Sequence, residues 1–193
     1  MHMKRQVLFV QGGGEGTHDH WDDKLVASLS AELGQSCEIR YPRMPNEDEP
    51  SYATWAAAIE TELAALKDGA ILVGYSLGGT ILINVLVEHP PRRTIGAVFL
   101  IAAPFVGEGG WQSDDWTPQR GPDRKLCSGV PIYLYHGLAD ETVPPSHAEL
   151  FARAIPQAHL CHLPGRDHHL NNDLSEIAAV IKSLVADIDQ QAT

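Results

Sequence analysis

The sequence predicts an α/β fold, a three-layer α/β/α sandwich on a mainly parallel sheet. Strand-like and helix-like segments alternate along the chain, and alternation of this kind implies parallel strands joined by crossover helices. The strand-like segments are apolar at nearly every position, as suits strands covered on both faces. Glycine or proline ends several segments, and both residues punctuate regular structure. A length of 193 residues favours one domain, 1–193. With 44% hydrophobic residues, it can bury roughly 70% of its unfolded surface without a disulfide or metal.

The elements follow in order. Residues 6–10, QVLFV, form a strand stopped by Gly12, Gly13 and Gly14. Residues 23–33 place Leu25, Val26, Leu29 and Leu33 on one helix face before Gly34. Residues 37–41 are a strand leading into a proline-rich loop. Residues 51–67 are a helix with Trp55, Ile59, Leu63 and Leu66 along one side. The strand 70–75 and helix 78–89 come next, and Pro90 and Pro91 stop that helix. Strands at 96–102 and 131–137, a helix at 145–155, a strand at 158–163 and a closing helix at 172–188 complete the pattern.

Residues 103–130 interrupt the alternation. They are rich in glycine and aromatic residues and have no clean period. A connection this long is uncommon in a compact domain and is usually functional or a lid; a surface excursion is the plainer alternative.

Charge and cysteine content narrow the function classes. Fourteen basic residues against 25 acidic ones leave a net charge of −11, which argues against a nucleic-acid partner. Cys37, Cys127 and Cys161 are odd in number and form no CxxC pair, as expected for thiols in a reducing compartment. Cys37 and Cys161 sit at strand-like positions and read as core fillers. The N-terminal stretch lacks the features of a secretory signal, and no apolar run reaches the ~18 residues of a membrane span. A cytoplasmic protein without a membrane partner is expected.

The chemistry-bearing motif is Gly74-Tyr75-Ser76-Leu77-Gly78, a G-x-S-x-G sequence. The pattern is short, but its context sharpens it: a strand precedes and a helix follows, as a nucleophile elbow requires. The turn must be tight for the serine to project beyond the strand end. Gly74 and Gly78 remove side chains that would collide there, and Gly79 lets the helix approach the sheet. The bland alternative is a strand–turn–helix with a capping serine.

A serine nucleophile needs a base and an orienting acid. Asp140 follows a strand end, 140 − 76 = 64 residues after Ser76; Glu141 is its weaker neighbour. His168 and His169 follow the last strand, 168 − 140 = 28 residues later, and one of them should reach Ser76. His18, His20, His136, His147, His159 and His162 are weaker candidates. An oxyanion hole needs two backbone N–H groups. Leu77, directly after the serine, supplies one, and Gly13 of the first strand–helix loop the other. Neither GxGxxG nor GxxxxGK[ST] is present, so that loop carries no phosphate fingerprint. HDH and RDHH lack metal-ligand spacing; no metal and no cofactor are expected.

FVQGGG, VGYSLGG, HGLADETVP and PGRDHHL, each after a strand and in this order, together resemble the α/β-hydrolase superfamily over nearly the whole chain. The resemblance is closest to its small serine-hydrolase branch, which lacks the first two sheet strands and a large cap. It implies a six-stranded sheet ordered 2-1-3-4-5-6. By motif position it implies Ser76 as nucleophile, Asp140 as acid and His168 as base. Gln11 stands where the family usually has His, and Asp167 where many members have Gly before the catalytic His.

The expected activity is hydrolysis of small or medium carboxylic esters through an acyl-enzyme, with a small-molecule ester as partner. A thioesterase, amidase or peptidase would use the same triad. A non-catalytic binding module on a hydrolase scaffold is the rival from another class, since fold does not set function. Trp21, Phe105, Trp111 and Trp116 are candidates to line the acyl pocket.

Overall fold

The computed structural model describes residues 4–113, 115 and 129–191. Six strands, β1 (Arg5–Val10), β2 (Cys37–Arg40), β3 (Ala70–Tyr75), β4 (Ile95–Ile101), β5 (Ile132–Gly137) and β6 (His159–Leu163), form one sheet. Its order is β2-β1-β3-β4-β5-β6, and every neighbouring pair is parallel. The α-helices of the described residues are α1 (Asp22–Leu33), α2 (Tyr52–Ala65), α3 (Ser76–Glu88), α4 (Ser146–Ala154) and α5 (Ser175–Gln191). The expected three-layer α/β fold and its strand order are present.

The sheet divides the core in two. Side chains alternate between the faces of a strand, so Leu8 and Val10 point to one side and Val7 and Phe9 to the other. Leu8, Val10, Leu72, Val98 and Leu100 pack with Trp55, Ile59 and Leu63 of α2, Ile81, Leu82 and Val85 of α3, and Phe151 of α4. Val7, Phe9, Ile71, Val73, Phe99 and Ile101 pack with Leu25, Leu29 and Leu33 of α1 and Ile177, Ala178 and Ile181 of α5. The i, i+4 and i+8 spacing of Leu25, Leu29 and Leu33 becomes a buried stripe. Ser51 caps α2 by accepting from the Thr54 N–H.

Three differences from the sequence reading matter for the site. Helix α3 begins at Ser76, two residues earlier than its periodicity indicates. A π-helical turn, Thr17–Trp21, precedes α1; the sequence reading has no element there. The start of the 103–130 excursion is ordered. Val106 and Trp111 bridge, and the Trp111 N–H donates to the Phe105 carbonyl at 2.9 Å. Cys37 is buried, whereas Cys161 on the edge strand β6 is half-buried. Cys127 lies outside the described residues.

The β3–α3 junction is seated by glycines. A Cβ on Gly74 would approach Gly79 Cα at 2.5 Å, and one on Gly79 would meet the Gly74 carbonyl oxygen at 2.8 Å. Gly78 serves a different contact from the one expected: its Cβ would collide with the Gln11 carbonyl oxygen and meet that of Val10 at 2.9 Å. Gly74 and Gly79 therefore let strand and helix touch, and Gly78 lets α3 lie against the end of β1. Gly78→Ala meets backbone atoms that have no rotamer to retreat into. It is expected to cost about 1–3 kcal/mol and to lower Tm by roughly 2–12 °C, at about 2–4 °C per kcal/mol for this length. Thermal unfolding followed by circular dichroism measures it, and an unchanged Tm would mean that α3 retreats from β1 at no cost.

Candidate active site

The chain reverses direction across the sheet between β1 and β3, because β1 leads outward to β2 while β3 leads the other way to β4. Ligands of open α/β sheets bind at the carboxyl ends of strands beside such a reversal. Ser76 stands there, at the end of β3 and the start of α3, with φ at 48°. A non-glycine residue pays for this left-handed conformation in strain, and the glycine contacts around it leave the backbone no easier path.

Ser76, His168 and Asp140 form a hydrogen-bonded row. His168 Nε2 lies 3.1 Å from Ser76 Oγ, and His168 Nδ1 lies 2.8 Å from Asp140 Oδ2. His169 makes neither contact. Its ring packs edge-on to His168 and tilted against Tyr75 and Trp21. Burial, and then the neighbouring His168, hold its pKa below the usual imidazole value.

The loop after β6 is shaped for this placement. Asp167, which departs from the usual glycine, accepts the Asn171 N–H at 2.8 Å, while Asn171 Oδ1 accepts the Asp167 N–H at 3.1 Å. Leu170, Asn171 and Asn172 all have left-handed backbones. Arg166 donates to the Leu170 carbonyl and to Asp173. The loop crosses the end of β5, where a Cβ on Gly137 would meet the Asp167 carbonyl oxygen at 2.6 Å. The Ala139 N–H donates to the Arg166 carbonyl at 2.9 Å, tying the aspartate loop to the histidine loop.

Asp140 is buried and well supplied with donors. Its Oδ1 accepts the N–H groups of Thr142 and Val143 at 2.9 and 2.8 Å. Its Oδ2 faces His168 and also His136 Nε2, at 3.1 Å. His136 donates to the Val143 carbonyl at 2.8 Å from the same nitrogen. Burial pushes the Asp140 carboxyl up, but the hydrogen bonds from His136, His168 and Val143 outweigh it and hold the pKa well below the usual carboxylate range. The sequence reading passed over His136 as a weak candidate. Its position four residues before Asp140, at the end of the same strand, was the available signal.

Opposite Ser76 lies the glycine loop after β1. Gly12 N–H donates to Asp22 Oδ2 at 2.7 Å and Gly14 N–H to the Glu47 carbonyl at 2.6 Å. Gly13 N–H has no acceptor among the described residues. A Cβ on Gly13 would come within 2.7 Å of Leu77 Cδ2, so the loop and the start of α3 are in contact beside Ser76. Gln11, where the family usually has His, is fully buried. It accepts the Met44 N–H and donates to Glu47 and to the Gly12 carbonyl, holding the loop to residues 44–47.

A cavity of about 440 Å³ opens over Ser76, lined in part by Gly13, Trp21, Tyr75, Leu77, Pro104, Trp111, His168 and His169. Trp21 and Trp111 are 52% and 43% exposed, so each ring keeps surface open to a ligand. Phe105 is a correction to the sequence reading: it is absent from the lining and packs edge-on against Phe151 with the core. Its N–H donates to His147 Nδ1 at 2.9 Å, and that anchor to α4 turns the side chain inward. Trp116 lies outside the described residues. A larger concavity, about 510 Å³, is lined by Glu60, Asp68, His89 and Arg93 near the amino ends of the strands and holds no nucleophile. Among the described residues no cluster of three His, Cys, Asp or Glu side chains is placed to hold a metal ion, and no helix is long and apolar enough to cross a membrane.

Comparison with known proteins places this chain in a family. The chain superposes on the ydeN gene product of B. subtilis with a TM-score of 0.76 at 20% identity, covering 95% of this chain and 100% of that one. A serine hydrolase involved in carbazole degradation, the CarC enzyme, gives a TM-score of 0.71 at 16% identity, covering 94% and 91%. The esterase domain of a Rhodothermus marinus protein gives 0.67 at 20% identity, covering 93% and 84%. No curated protein matches the sequence. Likenesses at these identities establish the α/β-hydrolase-like fold. The family model for serine hydrolases matches residues 7–176, and on that match the chain belongs to the serine hydrolase family.

Proposed function

We propose that this serine hydrolase cleaves small or medium carboxylic esters, with Ser76 as nucleophile, His168 as general base and Asp140 as the orienting acid. The observation that carries the reading is the Ser76–His168–Asp140 row, at 3.1 and 2.8 Å, on a strained turn at the floor of an open cavity. With Nδ1–H donated to Asp140, His168 keeps a lone pair on Nε2 facing the Ser76 hydroxyl. Ser76 Oγ attacks the carbonyl carbon as Nε2 takes its proton. Asp140 stabilises the imidazolium, which then gives the proton to the departing alkoxide. A water activated by the same base releases the acid from the acyl-enzyme.

The tetrahedral oxygen needs two donors. Leu77 N–H lies in the first turn of α3, where backbone N–H groups have no intrahelical acceptor. Gly13 N–H is the second, because its neighbours Gly12 and Gly14 have theirs committed. The structural neighbours called esterases, including RhEst1 from Rhodococcus, favour an ester over an amide or thioester. A cytoplasmic location is part of the same proposal.

Ser76→Ala is expected to lower kcat for p-nitrophenyl acetate by roughly 10⁴–10⁶ and to abolish labelling by a fluorophosphonate, with the circular dichroism spectrum unchanged. Full activity in the variant would remove Ser76 from the mechanism. A protein that is never labelled would favour a binding module.

The histidine doublet separates in the same assay. His168→Ala should approach the Ser76→Ala loss, while His169→Ala, which leaves both hydrogen bonds of the row in place, keeps most of kcat. The opposite ranking would make His169 the base.

Trp111→Ala should raise KM for octanoate esters more than for acetate. Each buried methylene contributes about 0.8 kcal/mol, and acetate offers few. Ratios of kcat/KM across acetate, butyrate and octanoate esters test it, and unchanged ratios would place acyl recognition elsewhere in the cavity.

A further inference from the structure

Asp22 is an acidic residue at the mouth of a helix, an ordinary surface cap by sequence, yet it is fully buried and lies on the wall of the Ser76 cavity. Only one of its oxygens is satisfied. Oδ2 accepts the Gly12 N–H at 2.7 Å, and Oδ1 has no partner among the described residues. A buried carboxylate with an unpaired oxygen is costly, and no cation among the described residues pairs with it. Glu47 from the 41–50 segment and Asp23 from its own helix repel it. The phenols that feel its charge are uncharged: Tyr41 donates to the His18 carbonyl, and the Tyr75 hydroxyl has no partner among the described residues. The cations close by are engaged elsewhere: Arg43 pairs with Asp19 and Glu47, and Lys24 sits over the Trp21 ring. His168 and His169 lie on the same cavity wall. Burial foremost, opposed by the Gly12 hydrogen bond and reinforced by Glu47 and Asp23, pushes the Asp22 carboxyl up to about 7.

We propose that Asp22 is a positioning residue for the oxyanion hole and acts as the uncharged acid. By pinning Gly12 N–H it orients the next peptide, so that Gly13 N–H faces the carbonyl above Ser76. As a neutral group it leaves the potential behind the developing oxyanion undisturbed. As a carboxylate it sets a negative charge beside that oxygen and opposes the reaction. The proposal rests on the oxyanion assignment made above and adds a control that the Ser76–His168–Asp140 row lacks. A group whose pKa is raised in the fold is neutral below that value and ionised above it, so the turnover that depends on neutral Asp22 is present below about pH 7 and lost as pH rises through it.

The test is the pH dependence of kcat/KM for p-nitrophenyl acetate, corrected for spontaneous hydrolysis, in wild type, Asp22→Asn and Asp22→Ala. The amide of Asp22→Asn keeps an acceptor for Gly12 N–H and cannot ionise. The wild type should fall on the alkaline side near pH 7, while Asp22→Asn shows no such fall. Asp22→Ala should lower kcat roughly 10–100-fold at every pH with little change in KM, less than the roughly 10²–10³ for outright loss of an oxyanion donor. An alkaline fall that persists unchanged in Asp22→Asn overturns the proposal, and so does wild-type kcat in Asp22→Ala. If Asp22→Ala does not fold, Asp22→Asn alone decides. The rate of Ser76 labelling by a fluorophosphonate is followed over the same range, since it needs nucleophile and oxyanion donors but no particular ester. Labelling with the expected pH contrast but no ester hydrolysis overturns the esterase reading and sustains the Asp22 proposal. Labelling with identical pH dependence in wild type and Asp22→Asn overturns the Asp22 proposal alone. Absence of labelling in every form overturns both.

Discussion

The close approach of Gly74 and Gly79 sets the geometry of the whole cavity. It lets α3 start directly from the last residue of β3, and it forces Ser76 into a left-handed backbone. Such strain costs about 1–3 kcal/mol and persists only where the surroundings over-determine it. Here β3 is buried along its length and residues 78–86 of α3 are buried with it. Gly78 then locks the helix against the end of β1, so the glycine loop and the serine turn are neighbours by construction. The chain reversal between β1 and β3 does the rest, opening a crevice where the two turns meet.

The second half of the site is a contact between two loops that are distant in sequence. Gly137 lets the histidine loop pass over the end of β5, and the Ala139–Arg166 hydrogen bond joins that loop to the aspartate turn. His168 can then span from Asp140 to Ser76. The Asp167–Asn171 pair closes the histidine loop at the position where the family usually has glycine. The departure from the family pattern is thus compensated within the same loop.

Two buried aspartates show how environment separates like groups. Asp140 has two backbone N–H donors and two imidazoles, and its pKa is held down despite burial. Asp22 has one donor, an unpaired oxygen and acidic neighbours, and its pKa is raised. The number of hydrogen bonds to the charged form decides the direction in each case. One carboxylate suits orienting an imidazolium; the other suits remaining neutral near a developing anion.

Much of the fold was legible in the sequence because it depends on local periodicity. Every strand and α-helix of the described chain corresponds to an apolar run or a 3.6-residue stripe, and punctuation marks most ends. The residues of the hydrogen-bonded row were legible because Ser76, Asp140 and His168 each follow a strand end, and parallel strands deliver their ends to one edge. What periodicity cannot carry is direction in space. His168 and His169 are adjacent and chemically identical; only the left-handed turn after them and the position of Asp140 select one. Phe105 and Trp111 share one aromatic-rich stretch, yet the bond to His147 turns the first into the core and leaves the second over the cavity. Asp22 has the sequence of an exposed helix start, and His136 that of an ordinary strand residue. Their burial arises when α1, the glycine loop and the 41–50 segment close together, and when β5 meets the turn after it. The first closure joins segments distant in the chain, Gln11 with Met44 and Gly14 with Glu47, and the second joins a strand to the turn that follows it; in both, only the folded chain sets which side chains meet.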